Sequence, residues 1–305
     1  MRIAVFPGQG SQSPGFLSPW LSVDGTAERL AAYSEWSGVD LVAAGTEWDA
    51  DRIRDTQVAQ PLIVAASLLS WNALANREGV AGVAGHSVGE FAAAAAAGIL
   101  SEEDALRLVG IRGRAMAEAA AAEQTGMSAV IGGDEASVVS RLDELGLTPA
   151  NYNGGGQLVA AGALDALAAL SAEPPAGTRV IALQVAGAFH TRYMGPAVEA
   201  LRTAAAGIAA SDPRITIWSN RDGSAVASGA AFVDLLVDQV ASAVRWDLCM
   251  TSFAAEGVSG IVELSPAGTL TGLAKRALRG TPAVAVKTPD DLQAAAALLS
   301  DSADA

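Results

Sequence analysis

A single cysteine, Cys249, excludes an intrachain disulfide and any cysteine-based metal cluster in this 305-residue chain, a usage that fits a reducing cytoplasm. Histidine is almost as scarce, with two. Positive charge is short as well: 19 Lys and Arg against 33 Asp and Glu leave a formal net charge of −14. That balance argues against a nucleic-acid partner and means that any anionic ligand must be met by a local basic pocket. Long apolar runs are also missing. The apolar opening, residues 3–6, stops at Pro7, and the longest run, residues 91–100, lies between Glu90 and Glu102, so neither a targeting peptide nor a membrane span is expected. What is plentiful is small apolar side chains. With 51% hydrophobic and 17% charged residues, the chain is not disordered and suits an α/β fold whose central sheet is buried on both faces. Its length predicts one large domain carrying a smaller insertion.

The chain is organised around Gly85-His86-Ser87-Val88-Gly89, followed by Glu90. Before it, residues 80–84 are small and apolar like a buried strand; after it, residues 91–97 are nearly all alanine, the best helix former. Strand, five-residue turn and helix make a nucleophile elbow, in which the glycines leave room for a tight turn and the serine is lifted to the top of the sheet. The helix that follows aims its N-terminus where an oxyanion would form.

Residues 2–6 read as a first, central strand, and Pro7-Gly8-Gln9-Gly10-Ser11-Gln12 as the loop at its carboxyl end, either part of a ligand crevice or an ordinary turn. Pro61 is expected to open a helix running to about Leu69. Two strand-helix-strand passages between residues 125 and 189 suggest a small split unit, after which a main sheet resumes with strands at 215–218 and 260–264 and helices at 196–206, 231–240 and 269–278. The fold expected is therefore an α/β-hydrolase-like core with a mostly parallel sheet (residues 1–124 and 190–305) and an inserted ferredoxin-like α+β subdomain (residues 125–189). Residues 301–305 are expected to fray.

Ser101 followed by Glu102, Glu103 and Asp104 starts a helix reaching about Ala122. A 100° advance per residue puts Ala105, Leu108, Val109, Arg112, Met116 and Ala119 on one stripe, with Arg107, Arg114, Glu103 and Glu118 opposite. Arg112 thus lies in an apolar stripe, where an unpaired guanidinium would cost roughly several kcal/mol. Its partner is either an internal carboxylate or an anionic ligand.

A serine needs a base, and histidine suits that task near neutrality. The side chain of His86, adjacent in the elbow, projects away from that of Ser87, which leaves His190, just past a predicted strand. An imidazole of ordinary pKa places the acid limb of activity near pH 6.5, roughly. The orienting group is either a triad acid among Asp104, Asp134, Asp143 and Asp165 or a backbone carbonyl.

These blocks, together with Asn151-Tyr152-Asn153, Gly187-Ala188-Phe189-His190 and Thr271-Gly272-Leu273, resemble in kind and order those of the malonyl-CoA:acyl carrier protein transacylases of fatty acid and polyketide synthesis, over essentially the whole chain. The resemblance implies Ser87 as nucleophile, His190 as base, and the N–H groups of Gln9 and Val88 as oxyanion hole. It gives Arg112 the malonyl carboxylate, makes Asn153 a substrate contact, and has Phe189 crowd a branched α-carbon, favouring malonyl over methylmalonyl. Where family members often carry Asn-Pro-Val-Gln-Trp, this chain has Ser242-Ala243-Val244-Arg245-Trp246; the expectation is that the Arg245 carbonyl orients His190. Malonyl-CoA and an acyl carrier protein are the implied partners, with no metal or redox cofactor and a monomeric enzyme. Lys275, Arg276 and Arg279 on the late helix either dock an acidic carrier or form a solvated face. A serine esterase or thioesterase, and a catalytically silent carrier-binding protein, are the rival readings.

Overall fold

Ile3 and Val5 point to one side of the first strand and Ala4 and Phe6 to the other, and all four are at most 1% exposed, so this strand is covered on both faces. The computed structural model describes residues 1–300; the fraying expected at 301–305 lies outside the described residues. Its strands are β1 (Arg2–Phe6), β2 (Gly82–Gly85), β3 (Thr125–Gly132), β4 (Thr148–Gly154), β5 (Gln157–Ala163), β6 (Thr178–Ala182), β7 (Thr216–Trp218), β8 (Val244–Arg245), β9 (Gly260–Glu263) and β10 (Ala283–Ala285). The first sheet runs β10-β9-β1-β2-β7, every pair parallel, with β1 at its centre. Helices Thr56–Ala73, Gly89–Ala97 and Glu102–Ala122 cover the Phe6 face. On the other, Trp218 and Trp246 each meet Phe253 edge to face in the cluster that covers Ile3 and Val5.

The second sheet runs β6-β3-β5-β4-β8. Its first four strands are antiparallel and come from two split passages, with helices Glu135–Glu144 and Leu164–Ala172 packed through Val138, Leu142, Leu167 and Leu170 on the face of Val130 and Leu158. Alternation along β3 then turns Met127 and Ala129 to the opposite face, toward the first sheet's carboxyl edge. The fifth strand, β8, pairs parallel with β4 and belongs to the later chain. The protein is thus a mixed α/β structure with a parallel sheet and a second sheet beside it. No helix among the described residues is long and apolar enough to cross a membrane.

Two local expectations need correction. Pro61 does not open its helix: Asp55 caps the chain six residues earlier, its carboxylate accepting from the Gln57 N–H at 3.0 Å, and the proline sits inside helix Thr56–Ala73. The parallel edge strand β10 was not foreseen, because Ala-Val-Ala after Pro282 carries no alternation to read.

Candidate active site

β2 ends at Gly85, and the chain turns through His86, Ser87 and Val88 into helix Gly89–Ala97. Space fixes both glycines. A Cβ on Gly85 would stand 2.1 Å from the Glu90 nitrogen, and one on Gly89 2.2 Å from the Phe6 carbonyl oxygen. Ser87 between them sits at φ 52, a left-handed conformation that costs a non-glycine residue roughly 1–3 kcal/mol. Its backbone is held at both ends: the Ser87 N–H donates to Asn220 Oδ1 at 2.7 Å, and Gln239 Nε2 donates to the Ser87 carbonyl at 3.0 Å.

His190, also left-handed at φ 61, brings Nε2 to 2.7 Å from Ser87 Oγ. Its Nδ1 lies 2.8 Å from the Gln239 carbonyl oxygen, which can only accept, so Nδ1 carries the proton and Nε2 is free to accept the serine's. The orienting group is therefore a main-chain carbonyl, and it belongs to Gln239 rather than Arg245. Residues 244 and 245 are β8, committed to pairing with β4; the Arg245 N–H donates to the Asn220 carbonyl at 2.8 Å. The Arg245 guanidinium holds Asp247 at 2.9 and 2.7 Å and lies over the Tyr152 ring. Gln239, by contrast, follows helix Gly229–Asp238, and its carbonyl, which accepts the Ser242 N–H at 3.2 Å, has a second lone pair for the imidazole.

Arg112 is 1% exposed. Its Nη1 donates to Gln60 Oε1 at 2.7 Å and its Nη2 to Gln239 Oε1 at 2.9 Å, with Ser87 Oγ 3.4 Å from Nη2. Both of the closer partners are neutral amides, and the buried Nε has no partner at all. Burial lowers Arg112 to about 10, opposed by the charge of Glu90, so the guanidinium stays charged at neutral pH. Burial, reinforced by Arg112, pushes the His190 imidazole down to about 3. The acid limb that an ordinary imidazole would place near pH 6.5, roughly, is thereby displaced to lower pH.

These groups share a cavity of about 280 Å³ between the two sheets, walled by the elbow, the Gly8–Gly10 loop, Met127 and Val159 of the second sheet and Leu273 of helix Thr269–Ala277. Of the two readings of that loop, the crevice is the one found. The cavity is also lined by Val88, Phe189 and Asn153. Among the described residues the Gln9 and Val88 N–H groups have no acceptor. Asn153 Oδ1 is taken by His86 Nε2 at 2.9 Å, and the His86 ring rests edge-on against Trp246, so this histidine buttresses the elbow. Lys275, Arg276 and Arg279 are not in the cavity; they are exposed at the outer end of helix Thr269–Ala277 and just beyond it, with Arg276 Nη2 donating to Gln157 Oε1 at 2.9 Å. No group of three or more His, Cys, Asp and Glu that could hold a metal ion occurs among the described residues.

A nucleophile, its base and a half-satisfied cation around one pocket can perform acyl transfer. Residues 4–296 match the acyl transferase domain family. The chain belongs to that family. It is 55% identical over 296 residues to the malonyl CoA-acyl carrier protein transacylase of Mycobacterium tuberculosis, covering 96% of this chain and 98% of the relative, and 34% identical over 300 residues to the Escherichia coli protein of the same name, covering 95% and 97%. The crystal structure of the Mycobacterium tuberculosis transacylase superposes with a TM-score of 0.93 at 54% identity, over 97% of this chain and all of that one. A malonyl-transacylase solved in complex with a type II polyketide acyl-carrier protein gives a TM-score of 0.90 at 31% identity, over 97% and 99%.

Four residues of this acyl transferase's site escaped the sequence reading: Gln60, Glu90, Asn220 and Gln239. Each is at most 5% exposed. Gln60 and Glu90 left a signal, as polar residues inside the apolar runs 58–71 and 89–97. Asn220 and Gln239 left none, since nothing local marks a polar residue after a strand or a helix as inward-facing.

Proposed function

We propose that this protein transfers a malonyl group from malonyl-CoA to the phosphopantetheine thiol of an acyl carrier protein through a malonyl-serine intermediate. One observation carries the reading: a buried guanidinium kept charged, 3.4 Å from the nucleophile, its closer partners both neutral amides and one N–H unfilled. Such a group calls for a planar carboxylate on the acyl chain. A plain esterase has no use for it.

In the first half-reaction Ser87 Oγ attacks the thioester carbonyl as its proton passes to His190 Nε2. The new oxyanion is met by the Gln9 and Val88 N–H groups, which lie free on the cavity wall. Collapse breaks the carbon–sulfur bond, and the coenzyme A sulfur leaves with the proton from His190. In the second half, the carrier's thiol gives its proton to His190 and attacks the malonyl ester, and Ser87 recovers its hydrogen. Gln239 keeps the imidazole in the tautomer both steps need. Asn153, whose Nδ2 is left over from its bond to His86, is a further contact for the acyl group, and Phe189, buried beside the base, leaves little room for an α-methyl. Neither a metal nor a redox cofactor enters these steps. One copy contains every group named, so a monomer suffices. Cys249, buried and with its thiol pushed up by that burial, plays no part and suits a reducing cytoplasm.

Incubation with malonyl-CoA and no carrier tests the reading. The transferase accumulates one malonyl group on Ser87, seen by intact mass and peptide mapping, and releases it on adding carrier. Steady release of malonate without carrier, or no acylation, defeats it.

Docking of the carrier is assigned to Lys275, Arg276 and Arg279. The helix that supplies Leu270 and Leu273 to the pocket wall ends in these exposed cations, so an acidic partner seated there has its prosthetic arm beside the entrance. Lys275→Glu together with Arg276→Glu is expected to raise KM for the carrier while KM for malonyl-CoA holds; equal rises in both would reject the assignment.

A further inference from the structure

We infer that Glu90 is a positioning residue for malonyl selection: it carries the counter-charge of Arg112 at one remove and fixes which end of the Gln239 amide faces the guanidinium. The inference rests on the malonyl reading above.

Glu90 is 1% exposed and does not touch Arg112 directly; Gln239 stands between them. Glu90 Oε1 accepts from the Asn220 N–H at 2.7 Å, and Oε2 accepts from Gln239 Nε2. Burial pushes this carboxyl up to about 8, opposed by those two donors and by Arg112. The hydrogen-bond pattern sides with the opposition. Both oxygens receive N–H groups, and neither is seen donating, which is the arrangement of an ionised acid.

A glutamine amide is nearly symmetric in shape, so its two ends are told apart by their partners. Gln239 Nε2 is claimed by two acceptors, Glu90 Oε2 and the Ser87 carbonyl, and this turns Oε1 toward Arg112 Nη2 at 2.9 Å. The opposite orientation would aim an N–H at a cation. Glu90 therefore dictates that Arg112 sees an oxygen.

The placement also explains why the acid is not at position 239. A carboxylate bound directly to Arg112 would fill the fork that the substrate's carboxylate needs, whereas neutral amide oxygens compete weakly with an incoming anion. Held one residue further out, the negative charge still offsets the burial of the guanidinium. The same carboxylate steadies Asn220, whose Oδ1 holds the Ser87 N–H and whose Nδ2 donates to the Gly85 carbonyl at 2.7 Å, so specificity group and elbow share one anchor.

Glu90→Gln preserves shape but gives position 90 an N–H₂ that must face either Gln239 Nε2 or the Asn220 N–H. One amide has to turn, and Arg112 loses its set acceptor. The experiment presents malonyl-CoA and acetyl-CoA together and reads the ratio of malonyl to acetyl on Ser87 by intact mass, a ratio that does not depend on how much of the sample is folded. In E90Q it is expected to fall about tenfold or more from the parent's. Gln239→Glu supplies an independent arm: it puts a carboxylate against Arg112, and the ratio is expected to fall there too. A parent-like ratio in either variant overturns the role of Glu90, as does a loss in E90Q that is equal for both donors. A parent enzyme that never loads malonyl overturns the malonyl reading, and this inference with it.

Discussion

His190→Ala is expected to slow malonylation of Ser87 by about 10²- to 10⁴-fold, the usual contribution of a positioned general base. The geometry leaves no substitute. Among the described residues the hydrogen-bond partners of Ser87 Oγ are His190 Nε2 at 2.7 Å and Arg112 Nη2 at 3.4 Å, and a guanidinium cannot take a proton. His86, the other histidine, is engaged with Asn153. The pH profile gives the same base a second signature. With its pKa depressed by burial and by Arg112, the free enzyme's imidazole stays neutral, and so competent, well below the ordinary 6.5, roughly. kcat/KM should therefore hold as pH falls through 6 and be lost only further down. Arg112→Ala removes the second largest of the downward influences, so with acetyl-CoA as donor the acid limb should move up. An acid limb near 6.5, roughly, in the parent would mean that the base is less buried, or the cation further from the ring, than in this structure.

The same depression makes folding pH-dependent. In the unfolded chain His190 takes a proton below about 6.5, whereas in the native state it resists, so the native state binds fewer protons and loses stability as pH drops. Protonating His190 would set a second positive charge beside Arg112.

How much of this was legible in the sequence follows from how local each constraint is. The elbow was readable because its glycines answer to atoms four or five residues away, or on the adjacent central strand: Gly85 against Glu90, Gly89 against Phe6. Arg112 was readable because a helix's periodicity states which face is inward, and a cation on that face demands a reason. His190 was readable by scarcity. What the sequence hid is the layer behind those three. Asn220 follows β7 and Gln239 follows helix Gly229–Asp238, and the two meet at the Ser87 backbone only through the packing of the whole core. Arg245 was misread for a related reason: its backbone is taken up by a strand that crosses to the second sheet and pairs with β4, a tertiary fact that a two-residue strand cannot announce. The Gln239 carbonyl is offered by a helix end whose position relative to His190 depends on the packing of the whole core.

Arg112→Ala is expected to cost at least about 10²-fold in the preference for malonyl over acetyl donors, measured as the ratio of kcat/KM values in direct competition. A site built to hold a carboxylate rejects the acyl group lacking one because its own buried donors are then left unpaired; without the guanidinium that penalty vanishes, and malonyl instead brings an anion into a pocket with no cation to meet it. Both effects push the ratio the same way. Loss of fold cannot imitate them, because it scales both donors equally. Arg112→Lys separates charge from shape. An ammonium keeps the positive charge but cannot present parallel N–H groups to a carboxylate or reach Gln60 and Gln239 together, so it should recover part of the preference and not all. If lysine restored the ratio fully, the pocket would be selecting charge alone, and the fork held between two glutamines would be incidental. If alanine left it unchanged, the malonyl carboxylate would have to lie elsewhere in the cavity, away from the buried guanidinium on its wall.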